Sequence, residues 1–424
     1  MRVSGVNRVI SADRRSAVIQ NTFNPIKRLT SIVSLNCSGS GPNTSWKLFW
    51  IVFKALASAS VLGFLTFYCL YIKIRYHYND VNLSIKLTDA VQLCYHYSQY
   101  LVDLFFVFKY GRETYAEYHK NIINIDQILT TTNYSAINRR LIKFIAYFIV
   151  IWIITSACDF TAWAISYGTS LPTLYATSYI YFLIKMFSTL DLMSHVMHVE
   201  YRMKCIVYQL QECYCDTKDI PGDFSDPIDN KFWFYCESPL KLGNTNETHQ
   251  PVRTLAGNNP QNVKWLSRCY LLLCEQCVFI NSMFGTRILL NSLSQLIDMI
   301  RFTNMAVRLV TGSQPTIHAS GIYPAASNIL RMVTCAFVVG TLVSECERAY
   351  RQRDAALAVI DHILIGNIPE DADLRSELTA LRGLIQSRPI QFHTAFFFRL
   401  EYGFLVSLGS VMVTYTIILI QSVN

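Results

Sequence analysis

Charge is scarce in this chain. Of 424 residues only 16% are Asp, Glu, Lys or Arg, while 52% are hydrophobic. A soluble globular domain of this length rarely combines those values, so a polytopic membrane protein is expected. Proline is sparse, with twelve in all, and no internal repeat or low-complexity tract appears. Repeat and Pro-rich linker architectures are thereby excluded. The first 46 residues are polar and basic and lack an apolar h-region. A cleaved signal peptide is not expected, and the first span itself must direct insertion. P-loop, HExxH, nucleophile-elbow and Gly-rich dinucleotide patterns are all missing, so no catalytic residue, metal or cofactor is assigned and the chain is not read as an enzyme. No nucleic-acid partner is expected.

What is present is apolar sequence in long runs. A bilayer core about 30 Å thick needs about 20 apolar residues per helix. Seven candidate spans lie near 47–72, 88–108, 143–165, 173–199, 282–305, 326–346 and 395–421. The second and fifth carry many polar residues. Counted by segment, one side of the membrane receives 25 Lys and Arg and the other 4. The positive-inside rule then places the N-terminus in the cytoplasm and the C-terminus outside, in contact with lipid throughout the spans. The fold class is all-α, with seven transmembrane helices and additional cytoplasmic helices.

The organisation follows from those spans. Residues 1–46 form a cytoplasmic segment, 47–346 a bundle of six helices, 347–394 cytoplasmic helices, 395–421 the seventh span and 422–424 an outer tail. The middle of 201–267 is rich in Pro, Gly, Asn and Asp and reads as a flexible loop. In 371–387, Leu374, Leu378, Leu381 and Leu384/Ile385 recur at helical spacing, giving an amphipathic helix whose leucine face needs a partner in the same or a neighbouring subunit. Most of the thirteen cysteines fall within spans or on the reducing side, so disulfides are not expected. Cys274 and Cys277 read as ordinary helix-face residues. Of the sequons at Asn36, Asn43, Asn82, Asn133 and Asn246, only Asn82 lies on the outer side, close to the membrane, and glycosylation is not expected there.

Three polar patterns interrupt the apolar spans. In the last span Gly403, Ser407, Ser410, Thr414 and Gln421 share one helical face. Small residues favour close helix–helix contact, whereas hydroxyls and an amide suit a wetted ion path. Both readings stand at this stage. In the second span Asp89, Gln92, His96, Gln99 and Asp103 share a face, and the fifth span repeats the theme with Arg287, Asn291, Ser294, Gln295 and Asp298. Such groups do not face lipid and must meet a bundle interior or a cavity. Asp159 and Trp163, with Tyr167, Tyr175 and Tyr179 nearby, add aromatic rims, and Arg331 is placed to pair with an acid. A polar cavity for a small hydroxylated or basic ligand and a set of interhelical hydrogen bonds are the two readings. Asp191, His195 and His198 have a spacing that can bind metal but are read as a polar face.

The C-terminal third resembles the insect gustatory receptor family, inverted seven-helix chemoreceptors. That family closes with Thr-Tyr, five apolar residues, Gln and Phe. Here Thr414, Tyr415, TIILI and Gln421 match, with Ser422 in place of the Phe. The run SRPIQFHTAFFFRLEYGFLVSLGSVMVTY resembles the family's approach to its last helix. NSMFGTRILL resembles its Asn-x-x-Phe-Gly pattern, with Phe284 and Gly285 matching. The resemblance covers roughly residues 270–421. It implies a ligand-gated cation channel of four subunits, identical or mixed, in the plasma membrane. The last helix lines the pore, with Ser407, Ser410, Thr414, Ile417 as an apolar gate, and Gln421. The cytoplasmic helices join the subunits, and the leucine face of 371–387 meets the neighbours. A small-molecule tastant binds in the outer half, at Asp89, Gln92, His96, Asp159, Trp163, Asn291 and Gln295. A bitter plant compound is the expected tastant, with sugars as the alternative. A G-protein-coupled receptor needs the opposite topology, a transporter would use the intramembrane carboxylates for coupling, and a membrane metalloenzyme would need the Asp191 set.

The topology is testable directly. A tag placed after Asn424 is expected to stain on intact cells; staining only after permeabilisation, with surface expression shown independently, reverses the assignment.

Overall fold

The computed structural model describes residues 23–35, 45–77, 83–110, 113–129, 134–214, 260–312, 322–366, 372–395 and 397–423. Nearly everything described is helical. A short helix, α1 (23–32), precedes α2 (Ser45–Ile72), which runs into a π-helical turn at Lys73–His77. Then come α3 (Leu83–Tyr110), α4 (Glu113–Ile128), α5 (Ser135–Tyr167) and α6 (Ser170–Tyr214). After them follow α7 (Pro260–Val310), α8 (Ile322–Gly366), α9 (Ala372–Ser387) and α10 (Tyr402–Val423). Two short antiparallel strands, β1 (His393–Thr394) and β2 (Phe398–Arg399), pair His393 with Arg399 and Thr394 with Phe398.

Each of the seven spans lies on a helix, α2, α3, α5, α6, α7, α8 and α10. Five of these helices are long and apolar enough to cross a membrane by composition; α3 and α7 are not, because they carry the polar stripes. α3 packs mainly on α7, and α7 packs in turn against α6 and α8. Burial differs among the spans. The apolar window of α6 is 83% buried, whereas that of α10 is 11% buried.

Several boundaries differ from expectation. At 51 residues α7 is about 77 Å long, and α6 and α8, at 45, are about 68 Å. All three outrun a 30 Å hydrocarbon layer. The ends of 201–267 are therefore helical, in α6 and α7, while its middle lies outside the described residues, as do all five sequons. No break occurs at 346/347, since α8 continues to Gly366. The last helix begins at Tyr402, not 395, because residues 393–399 form the hairpin. The end carrying α4 and α9 is the one the charge distribution assigns to the cytoplasm; the opposite end is called outer below.

The largest core lies where the long helices overrun the membrane. Met193, Val196 and Met203 of α6, Leu266 and Leu273 of α7, and Val343 and Ile360 of α8 are buried together there. Leu374, Leu378, Leu381 and Ile385 of α9 are each at most 2% exposed, and α9 packs on α7 and α8 of its own chain. This corrects the expectation that neighbouring subunits cover that leucine face. A charged residue in such a core needs its opposite. Arg202 of α6 meets Asp126 of α4 through two hydrogen bonds, Nε to Oδ1 at 2.9 Å and Nη2 to Oδ2 at 3.0 Å. Arg140 of α5 bridges Glu200 of α6, at 2.9 Å, and Glu345 of α8. Phe23 of α1 stacks on His198, 4.3 Å between ring centres, and lies beside His195 and His119. Burial and the nearby Lys27 and Arg202 push His119 down to about 3, which favours its neutral form beside Phe23. His195 and His198 thus serve interhelical contacts, with His195 Nδ1 2.8 Å from the Tyr118 hydroxyl, and Asp191 lies 3.9 Å from His195 Nε2 on its own helix.

Replacing Asp126 with Asn leaves Arg202 charged and buried. The expected loss is about 3–5 kcal/mol, read as a fall in the thermal unfolding midpoint of the purified protein. An unchanged midpoint would contradict the buried pair.

Candidate functional site

The polar residues of α7 descend from the outer end at Arg301 to Arg287, about 21 Å along the axis. Arg287, Asn291, Ser294, Asp298 and Arg301 each meet a partner from another element. Outermost, Asp89 of α3 accepts from Lys73 at 2.8 Å and pairs with Arg301 at 3.0 Å. Both cations lie over the ring of Tyr175 on α6, at 3.8 and 4.9 Å from its centre. Beside them, Asp159 of α5 is saturated. Its Oδ1 accepts from Trp163 Nε1 (3.1 Å) and Ser327 Oγ (2.9 Å), and its Oδ2 from Tyr179 (2.8 Å) and Arg331 (2.8 Å). Trp163 and Tyr175 have ring centres 5.6 Å apart, so the two clusters are continuous.

One level deeper, Asp298 collects Lys185 of α6, Gln92 and His96, the last at 3.0 Å. Lys185 also donates to Ser294 at 2.9 Å. Below that, Gln99 donates to Asn291 at 3.3 Å, and Asn291 to Thr189 at 2.9 Å. Arg287 pairs with Asp103 at 3.1 Å and donates to Ser188 at 3.1 Å. The expected residues therefore divide into three linked groups: Asp89 with Asp159 and Trp163, then Gln92 and His96, then Asn291. Gln295, at 1% exposed, has a carbonyl oxygen that meets no donor. The crevice bounded by His96, Gln99, Tyr100, Asp103, Tyr181, Ile184 and Lys185 is too narrow for a water-sized sphere. In this structure the polar interior is closed by its own ion pairs and hydrogen bonds.

Sequence reasoning missed Lys73, Lys185 and Arg301. Lys73 follows the first apolar span and reads by sequence as one of the four outer-side charges, yet it is fully buried. Lys185 is a lone ammonium within an apolar span, and such a residue is a functional signal in itself.

The linker into α10 is fastened to the same helix. Asn281 donates to Gln391 O and accepts from His393 N, both at 2.9 Å, imitating a neighbouring strand. One turn later comes Gly285. A Cβ there would stand 3.0 Å from Ala395 N and 3.1 Å from His393 O. The glycine lets the hairpin lie directly on α7. Phe284 points elsewhere, into the core near His195. Tyr270 donates to Arg388 O at 2.7 Å, and Cys274 to the same carbonyl at 3.4 Å, while Cys277 is in the core. From α8, Tyr350 accepts from Phe392 N at 2.9 Å, and Glu347 accepts the Tyr402 N–H at 3.1 Å, capping α10.

In α10, Phe404 and Leu419 are buried, and the helix packs against α7 and α8. Gly403, Ser407, Ser410, Thr414, Ile417 and Gln421 are all exposed, roughly 150° around the helix from that packed face. Ser407 and Thr414 donate to Gly403 O (3.0 Å) and Ser410 O (2.9 Å) of their own helix. Among the described residues no other helix covers the small-residue face.

These features define a helical-bundle membrane protein with seven spans, whose last helix stands at the edge with a polar side uncovered. The chain belongs to the 7tm chemosensory receptor family, whose family model matches residues 24–423. It is similar in fold to the insect olfactory receptor OR5 of Machilis hrabei, with TM-score 0.55, 12% identity, and 96% of this chain and 100% of that chain covered. The structure of that receptor in complex with eugenol matches over the same shares, at 12% identity and TM-score 0.49. No curated protein matches the sequence.

Substituting Gly285 with Ala is expected to displace the hairpin and destabilise the protein by about 1–3 kcal/mol. Asn281→Ala should cost a similar amount by leaving two backbone groups unpaired. Hydrogen exchange across 388–401 should accelerate in both; unchanged exchange would refute the clamp.

Proposed function

We propose that this chain is a gustatory receptor subunit: a tastant-gated, non-selective cation channel of the plasma membrane, working as a homo- or heterotetramer. The observation that carries the reading is the uncovered polar side of α10. Gln421 places an amide on that side of an otherwise apolar helix, and an amide facing hydrocarbon is costly. Copies of the helix around an axis would instead put Ser407, Ser410, Thr414 and Gln421 on a wetted path, with Ile417 as the apolar gate. The Thr414, Tyr415 and Gln421 pattern supports the gustatory branch of the family, although Ser422 departs from it.

The tastant acts at the closed polar interior. A small molecule that binds among Asp89, Gln92, His96, Asp159, Trp163, Asn291 and Gln295 must split existing pairs, and it shifts the closed–open equilibrium by its differential affinity for the two states. The Asp89–Arg301, Asp298–His96 and Asn291–Gln99 pairs among them involve α7, the helix that holds the linker to α10.

Replacing Gln421 with Leu should alter unitary conductance or cation selectivity and leave ligand sensitivity in place. Ile417→Ala should raise the current that flows without ligand. Currents identical to those of the unaltered protein in both variants would remove α10 from the pore.

A further inference from the structure

The outer network does not balance. Lys73, Lys185, Arg301 and Arg331 bring four positive charges inside the bundle, each at most 6% exposed. Among the described residues only three carboxylates answer them: Asp89, Asp159 and Asp298. His96 carries no formal charge and, if protonated, would enlarge the excess. The next acids inward belong to another group, since Asp103 pairs with Arg287 and Asp191 faces those same two residues. The surplus is at Asp89, which serves Lys73 and Arg301 together. Arg301 Nε, buried, meets no acceptor. A net positive charge held away from water is costly and attracts an anion.

From this imbalance we propose that the ligand of the site is an organic carboxylate, bound between Lys73 and Arg301. The inference rests on the chemoreceptor reading and makes its ligand specific. It also departs from the sequence-based expectation of a hydroxylated or basic ligand, because every acid in the network already has its cation. The carboxylate accepts from Arg301 Nε and the Lys73 ammonium. The apolar or aromatic remainder of the molecule lies against Tyr175, Trp163 and Phe302. Arg301 sits over the Phe302 ring at 5.6 Å, and Tyr175 and Trp163 have ring centres 5.6 Å apart.

Benzoate and benzamide differ in charge and little in shape. Their binding to the purified full-length protein is followed by the thermal midpoint, in methanesulfonate at fixed ionic strength. Benzoate is expected to stabilise saturably, and benzamide at equal concentration is not. Arg301→Gln and Lys73→Gln should each weaken benzoate roughly tenfold or more, the size of one lost charge-assisted hydrogen bond. Asp89→Asn frees both cations and should tighten benzoate, a gain that a merely structural role for Asp89 would not produce. Should Arg301→Gln fail to fold, Lys73→Gln and Asp89→Asn decide. Equal binding of benzamide, or weaker benzoate binding in Asp89→Asn, overturns the proposal. A midpoint that follows added chloride and ignores benzoate assigns the site to an inorganic halide and overturns it too. Binding is read without currents, so a protein that binds benzoate and conducts nothing would count against the channel alone.

Discussion

A charge held away from water must meet its opposite, and the bundle is arranged around that demand. α7 concentrates it. Arg287, Asp298 and Arg301 lie along one side of this helix, and each is answered from another helix: Asp103 and Asp89 from α3, Lys185 from α6. Breaking any one of these pairs leaves a buried charge, which is more costly than replacing both partners by apolar residues. The register of α3, α6 and α7 is therefore set by pairs that tolerate little sliding. The surrounding apolar contacts, being non-directional, would tolerate more.

The same helix governs the approach to α10. Asn281 and Gly285 lie six and two residues toward the cytoplasmic end from Arg287, and they hold the hairpin by side-chain hydrogen bonds and direct backbone contact. Tyr350 and Glu347 of α8 hold it from the other side. The linker thus has little slack. A displacement of α7 at its ion pairs and a displacement of the hairpin are movements of one rigid element. α10, by contrast, has few neighbours within the chain. Its polar side is uncovered, and its apolar remainder is largely exposed, with Val406 and Val413 at 72% and 60%. The least buried long helix is the one whose face the proposed function needs.

Much of this was readable in the sequence. Spacing alone put Asp89, Gln92, His96, Gln99 and Asp103 on one face of α3, and Leu374, Leu378, Leu381 and Ile385 on one face of α9, because side-chain direction along a helix repeats with its pitch. Helix ends were less legible. A polar segment that continues α6, α7 or α8 beyond the membrane looks like a loop when hydropathy is the signal, and Arg202 or Leu266 reveals its role only inside a second bundle. The hairpin at 393–399 was hidden for the opposite reason. Its Phe-rich run matches a span, and a two-residue strand has no periodicity to detect.

The sequence by itself determined the class of fold, the number of spans, the polar faces and the family, since these follow from composition, local periodicity and short motifs. Only the tertiary structure decided which charge meets which. Gln92 and Asp298, 206 residues apart, share a hydrogen bond, and Lys73 leaves its apparent loop to sit against Asp89 and Tyr175. A one-dimensional pattern shows that a buried polar group needs a partner; its identity is settled by packing, where distance in space and distance along the chain are unrelated.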